Sequence, residues 1–226
     1  MSMPFYVSPE QLTKDRAEFA QKGIARGRSM VATTYDKGVL LVAENPSASL
    51  NKISEIYDRI AFAGVGKYNE FDRLREAGIR WADGTGYTYS REDVDARALA
   101  NYYAQYLGSM FAEGPKPLEI EILIAQLGNE LRPTKLYHLA YEGTITDEER
   151  FAVLGGDADT IKQRFVDADQ GTSDLAGALR HAVSALSGPD RVIPATDLEV
   201  AILEDRGARR TFTRVSDADV AELLTH

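Results

Sequence analysis

The sequence predicts an α+β fold in which antiparallel sheets carry helices on their outer faces. Three observations point there. Near the N-terminus, β-branched and aliphatic runs come in hairpin-like pairs; further on, amphipathic helical segments come two at a time between groups of strands; and no Pro/Ser-rich linker or low-complexity tract divides the chain. The order strands, two helices, strands, two helices, strands suits sheets whose outer faces are covered by helices.

The elements follow in order. Ser8-Pro9-Glu10-Gln11 starts a helix, with Ser8 as cap and Pro9 in the first turn, where its missing N–H costs nothing; the helix is expected to run to about Gly23 or Gly27. Met30–Tyr35 and Val39–Ala43 form a strand pair split by Asp36-Lys37-Gly38, which has hairpin-turn chemistry. A second pair, Lys52–Tyr57 and Arg59–Gly64, is split by Asp58. Helices are predicted from Asn69 to about Ala77, with Gly78 as a stop, and from Ser90 to about Ala112, where Leu99, Tyr103, Tyr106 and Met110 make an apolar stripe. The alternation of Ile120, Ile122 and Ile124 with Glu119 and Glu121 predicts a strand between Leu118 and Leu127, followed by strands over Lys135–Tyr141 and Phe151–Leu154. Helices over Thr160–Val166 and Ser173–Leu186, strands over Leu198–Leu203 and Thr211–Arg214, and a capped helix over Ser216–Leu224 close the chain.

The 226 residues are 44% hydrophobic and 27% charged, enough for one substantial core, so a single domain over 1–226 is expected. A formal charge of −9, with acidic and basic residues interspersed, argues against nucleic acid or an anionic membrane as partner, since phosphate binding needs concentrated Lys and Arg. The chain has no cysteine, so no disulfide framework or zinc-thiolate site is expected, and no metal or other cofactor is implied. Its first residues lack the basic and long apolar regions of a signal peptide, and no run of about 18 apolar residues is available to span a bilayer; the expected location is the cytoplasm.

Several stretches together carry a family resemblance: Ser8-Pro9-Glu10; Phe19-Ala20 followed by Gly27; Gly38-Val39-Leu40-Leu41-Val42-Ala43-Glu44; Lys52-Ile53; and Asp58-Arg59-Ile60-Ala61-Phe62-Ala63-Gly64. With Arg132-Pro133 before a strand and Leu198–Leu203 near the end, they resemble the proteasome core particle α-subunit in its actinobacterial (bacterial) form, across essentially the whole chain. The resemblance implies the four-layer αββα sandwich of the N-terminal-nucleophile hydrolases, with residues 1–7 as a gating tail, 8–27 as an N-terminal helix region and 28–226 as the core.

Catalytic members of that fold class begin the first strand with a Thr freed by cleavage, so that its own amine activates its hydroxyl. Counting back from Asp36-Lys37-Gly38, the nucleophile position falls on Arg28, which cannot do that work. Thr33 and Thr34 lie inside the strand, and Ser29 is the one close hydroxyl. No catalytic residue is therefore assigned. Glu44 and Lys52 correspond to the acid and lysine that assist the Thr in catalytic relatives; without the family they read as surface charges at strand ends. By resemblance Lys52, with Glu18 and Gly66, lines a pocket between neighbouring subunits that receives the terminal carboxylate of an activator. An ammonium suits a mobile carboxylate that needs a charge partner without rigid bidentate geometry. Lys67 follows Gly66 where archaeal relatives have an apolar residue, and Gln21 stands where they have an arginine.

Met1, Ser2, Met3, Pro4, Phe5, Tyr6 and Val7 match the segment that closes the axial pore in this family, and copies meeting on one axis would pack apolar side chains into a plug. The alternative is an ordinary terminus without fixed structure. The loop Gly128–Leu131 is, by the same resemblance, the lining of an inner constriction.

Other patterns fail. Gly64-Val65-Gly66-Lys67 resembles the end of a phosphate loop, but Ala61 and Tyr68 replace its first glycine and its hydroxyl. Asp167-Ala168-Asp169-Gln170-Gly171 lacks the third ligand and closing Glu of a calcium loop. His138, His181 and His226 are too scattered for a metal cluster.

The expected function is thus a non-catalytic subunit of a threonine-type endopeptidase complex. It would form a heptameric ring with its own copies, cap the β-subunit rings, gate unfolded or tagged protein substrates, and dock an ATPase activator ring through that ring's C-terminal tails. Two alternatives remain at this stage: a self-processing N-terminal-nucleophile peptidase, and a stand-alone interaction scaffold of the same fold.

Overall fold

The computed structural model describes residues 8–130, 132–168, 171 and 174–225. Two five-stranded antiparallel sheets face each other. The first has the order β10-β9-β2-β1-β8 and the second β3-β4-β5-β6-β7. Their strands are β1 Met30–Tyr35, β2 Gly38–Glu44, β3 Ile53–Tyr57, β4 Ile60–Gly66, β5 Ile120–Gln126, β6 Lys135–Leu139, β7 Ile145–Glu148, β8 Phe151–Leu154, β9 Leu198–Glu204 and β10 Phe212–Val215. Helices α2 (Tyr68–Thr88) and α3 (Ala96–Ala112) cover the second sheet; α4 (Ala158–Asp167), α5 (Leu175–Ser187) and α6 (Asp217–Thr225) cover the first.

Period-two alternation sorts the apolar side chains into three layers. In β1 and β2, Met30, Ala32, Val39, Leu41 and Ala43 point between the sheets, whereas Val31, Leu40 and Val42 point to α4–α6. In β5, Ile120, Ile122 and Ile124 meet α2 and α3, while Leu123 and Ala125 enter the inter-sheet layer. Both faces of each central strand are buried, so a one-residue register slip would exchange two differently sized layers rather than expose one. The inter-sheet layer is rich in alanine, including Ala61, Ala63, Ala152 and Ala201, which lets the sheets approach closely.

Helix α1, Pro9–Ile24, crosses the ends of β4 and β5 and buries Ala20, Gly23 and Ile24. Its Ser8 cap forms as expected, the Ser8 hydroxyl accepting from Gln11 N–H at 3.2 Å. Arg16 fixes its angle by donating to the last carbonyls of α3: Nε to Phe111 O at 2.7 Å, and an Nη to Met110 O and Gly114 O, each at 2.9 Å. A guanidinium there satisfies orphan carbonyls and complements the negative end of the helix dipole.

Four local expectations are corrected. Gly78 does not stop α2, which continues to Thr88, because Gly78 is where α3 comes closest: a methyl built on it would overlap the Tyr103 hydroxyl. The predicted Ser90–Ala112 helix is two pieces, a 3-10 turn at Arg91–Asp93 and α3, whose own cap is Asp95 accepting from Arg97 N–H at 3.3 Å. Tyr106 is exposed, and Leu107 takes its place in the buried stripe with Leu99 and Tyr103. Strand β7, not anticipated, pairs with β6 at the sheet edge with mostly polar residues, and so carries no hydrophobic alternation.

Gly78→Ala should therefore lose stability, by about 1–3 kcal/mol as in an overpacked core, where helix propensity alone would add about 1. In a Tyr103→Phe background, which removes the hydroxyl and its 2.8 Å bond to Leu74 O, the same change should cost about 1 kcal/mol less. Urea unfolding of the four proteins reads this coupling; additive effects would refute the close-packing account.

Candidate functional site

The segment joining α1 to β1 brings Arg28 and Ser29 to the mouth between the sheets. Glu44, at the end of β2, lies opposite, with Glu44 N–H donating to Ser29 O at 3.2 Å. The Glu44 carboxylate is buried and doubly held: Arg191 grips it bidentately at 2.9 and 2.7 Å, and Arg28 approaches at 2.9 Å. The Arg191 hydrogen bonds keep its carboxyl below the usual range, burial works the other way, and the charges of Arg191, Arg28 and Lys52 add to the lowering.

Lys52 enters from the opposite sheet. Its ammonium donates to Arg28 O at 2.7 Å and Glu44 O at 2.9 Å, so a side chain at the start of β3 ties down the ends of two segments of the first sheet. Burial pushes its pKa down to about 8; the charges of Glu199 and Glu44 resist, and Arg28 adds to the lowering.

Glu199, on β9, completes the cluster. Its carboxylate accepts from Lys52 N–H at 2.7 Å and Ile53 N–H at 3.0 Å in the second sheet. From the first sheet and its β2–β3 connection it accepts from Asn45 Nδ2 at 2.7 Å and Arg214 at 2.5 Å. Arg214 also donates to Ile53 O at 2.7 Å.

The position assigned to a threonine nucleophile is thus an arginine whose guanidinium binds Glu44 and whose carbonyl binds Lys52. Ser29 is buried under Gly155, where a side chain would press on the Ser29 hydroxyl, and Thr33 and Thr34 pair with Leu40 and Val39 inside the β1–β2 ladder.

Beside this cluster, a cavity of about 500 Å³ opens between α1 and the β4–α2 junction, lined by Phe19, Lys22, Gly27, Gly66, Lys67 and Glu119 among others. Gly66 has φ of +110°, and a side chain there would overlap the Glu119 carbonyl; a methyl on Gly27 would sit 2.8 Å from Gly66 N. Glycine at both positions lets the α1–β1 segment lie against the end of β4. Of the three sequence-assigned pocket residues, Gly66 lines this cavity. Glu18 lies on the exposed side of α1, 3.6 Å from Lys22, and Lys52 lies in the Arg28–Glu44 cluster. Lys67 and Lys116 share Glu70 and Glu119, with Lys116 also over the Phe19 ring, and Gln21 donates to the Tyr141 hydroxyl.

The gate residues Met1–Val7 lie outside the described residues, as do Leu131 of the constriction loop, Asp169 and Gln170 of the rejected calcium pattern, and His226. His138 lies 3.7 Å from Glu121 and His181 stacks on Phe165, so the two histidines stand in separate environments. Sequence reasoning missed Arg191, Glu199, Asn45 and Arg214. A lone charge inside the apolar run Leu198–Leu203 was the one available signal; Arg191 sits in a Pro/Gly loop where charges are ordinary.

The family model described as Proteasome subunit matches residues 24–201. The chain belongs to the proteasome subunit family. Among its relatives, a proteasome α-subunit of Acidimicrobium ferrooxidans is 59% identical over 224 residues, covering 99% of this chain and 97% of the relative. Those of a Nocardioides species and an Arthrobacter species are 55% and 51% identical, covering 99% and 100% of this chain and 90% and 99% of theirs. This proteasome subunit is of the α type, and its two-sheet, helix-covered architecture is the expected sandwich.

The depressed Lys52 pKa has a direct consequence. Between pH 8 and about 10.4 the unfolded chain holds a proton on this lysine that the folded subunit has released, so stability from this group rises with pH across that window. Lys52→Met removes the rise. The stability of wild type relative to Lys52→Met should therefore increase by about 2 kcal/mol from pH 7.5 to 10, after allowance for partial solvent screening. Urea unfolding at several pH values measures it; a difference independent of pH would show the ammonium to be freely solvated.

Proposed function

We propose that this α-type subunit forms the outer heptameric ring of a proteasome core particle, controls substrate passage to the proteolytic β-subunits, and does no hydrolysis itself. The observation that carries the reading is the occupied mouth between the sheets. At the nucleophile position stands Arg28, bonded through both its guanidinium and its carbonyl. Proteolysis by a terminal nucleophile would need a free amine there. Supporting partners are neighbouring α-subunits, β-subunits, an ATPase activator ring and unfolded or tagged proteins, in the cytoplasm; no helix among the described residues is long and apolar enough to cross a membrane.

Activator docking is assigned to Lys52 with Glu18 and Gly66, completed by a neighbouring copy. A lysine ammonium has three donors, and two are spent on the Arg28 and Glu44 carbonyls, so one remains for a terminal carboxylate. A docked carboxylate would favour the charged lysine and raise its pKa from about 8. Gating is assigned to Met1–Val7.

Three measurements test this. Co-expressed with a proteasome β-subunit, the chain should keep its full intact mass and resist electrophiles that trap terminal nucleophiles; a product beginning near residue 29 would instead establish a self-processing peptidase. Lys52→Ala should reduce ATPase-stimulated protein degradation at least tenfold while native mass spectrometry still shows assembled particles and small-peptide hydrolysis stays near wild type. Full stimulation of that variant would remove Lys52 from docking. Deleting residues 2–8 should raise unstimulated peptide hydrolysis several-fold, and an unchanged rate would assign the gate elsewhere.

A further inference from the structure

At the end of β3 opposite Lys52, about 17 Å away at ~3.3 Å per residue, a cavity of about 510 Å³ opens at the Asp58-Arg59 turn between β3 and β4. Its size is that of a ligand pocket, and four arginines line it in a chain of formal charge −9: Arg59, Arg91, Arg132 and Arg209.

Two of these arginines build the walls. Arg59 donates to Leu127 O and Gly128 O and pairs with Asp205 at 3.0 Å. Arg91 lies over the Tyr57 ring and binds both Asp58 oxygens, at 3.0 and 2.6 Å, which neutralises the cavity's inner carboxylate. The other two have charge to spare. Arg132 is 4.0 Å from Asp95, at the outer limit of pairing, and Arg209 has no ion pair among the described residues. Glu92 is the remaining acidic group on the lining; it is exposed.

Gln126 adds a buried polar group to the lining. Its side chain is buried, at 7% exposure, and its carbonyl accepts from Ala96 N–H at 2.9 Å. The Gln126 NH2 group adds a neutral donor to that lining. Arg132, Arg209, the second Arg91 nitrogen and the Gln126 amide offer donors only, above an apolar floor of Tyr57, Ile60 and Val94.

We infer that this cavity is a binding site for a carboxylate carried on a peptide, the methylenes lying on the Tyr57–Val94 floor and the oxygens between Arg132, Arg209 and the Gln126 amide. Guanidinium groups recognise carboxylates through paired donors, and a buried amide donor fixes the orientation. The carboxylate can come from a polypeptide passing the subunit or from an adjoining subunit; the chemistry is the same.

The test titrates the full-length subunit with fluorescently labelled hexaglutamate, using hexaglutamine as control. Hexaglutamate should bind saturably and hexaglutamine should not, although the −9 charge of the chain opposes the anion at long range. Rising salt should weaken binding. Arg132→Gln combined with Arg209→Gln should weaken it at least tenfold with an unchanged thermal midpoint, since both side chains reach solvent. Gln126→Glu, which keeps the acceptor for Ala96 N–H but replaces the donor by a charge, should abolish it. Lys52→Ala should leave it unchanged, so that failure here is separable from failure of activator docking. Repeating the titration after assembly with a β-subunit assigns the source: lost binding means an adjoining subunit fills the site, retained binding means a passing polypeptide does. Absence of saturable hexaglutamate binding, equal binding of hexaglutamine, or full binding by the double arginine variant overturns the inference.

Discussion

The subunit depends on one buried carboxylate. Glu199 projects from the first sheet and accepts hydrogen bonds from the backbone that begins the second, at Lys52 and Ile53, as well as from Asn45 and Arg214. The alanine-rich layer between the sheets supplies apolar contact without direction, and an apolar layer alone would tolerate sliding. Four donors converging on two oxygens do not. A buried ion is costly unless its lone pairs are filled, and these are filled from both sheets at once, so the charge is satisfied only in one relative placement of the layers. Lys52 then uses its side chain for the same purpose in the reverse direction, reaching from the second sheet to carbonyls of the first.

That arrangement gives Glu44 and Lys52 a bracing role at the mouth. Glu44 and Lys52 are a poor surface pair but a good internal one: the carboxylate is saturated by Arg191 and Arg28, and the ammonium is bound to carbonyls rather than to an opposing charge. Held this way the two residues form a fixed cross-brace, and the depressed lysine pKa reflects burial without full compensation. The carboxylates that favour its charged form, Glu199 and Glu44, offset that burial only in part.

Much of this was legible in the sequence wherever the controlling interaction is local. The Ser8 cap, the Asp36–Gly38 and Asp58 turns and the alternation through β5 are set by neighbours within a few residues. Gly78 was misread because the stop rule describes an isolated helix, whereas the reason for glycine there is Tyr103 on another helix. The Arg16 clasp on α3 and the Arg191 grip on Glu44 join residues about a hundred positions or more apart, and no periodicity announces them. The resemblance singled out Lys52 and Gly66, but their surroundings, Glu199 at one and the Gly27 backbone at the other, are visible only once the sheets are placed.

The two ends of the sandwich differ in electrostatic completeness, and this bears on what each can receive. At the Lys52 end the carboxylates are saturated and the fold is already closed, so a partner can add to it but is not required by it. At the Asp58-Arg59 turn the inner carboxylate, Asp58, is taken by Arg91, while Arg132 is only loosely paired and Arg209 has no ion pair among the described residues. Guanidinium charge left loosely paired beside the apolar floor of Tyr57, Ile60 and Val94 gains more from a carboxylate that brings its own methylenes than from a small ion in solvent, because such a ligand fills both parts of the cavity at once.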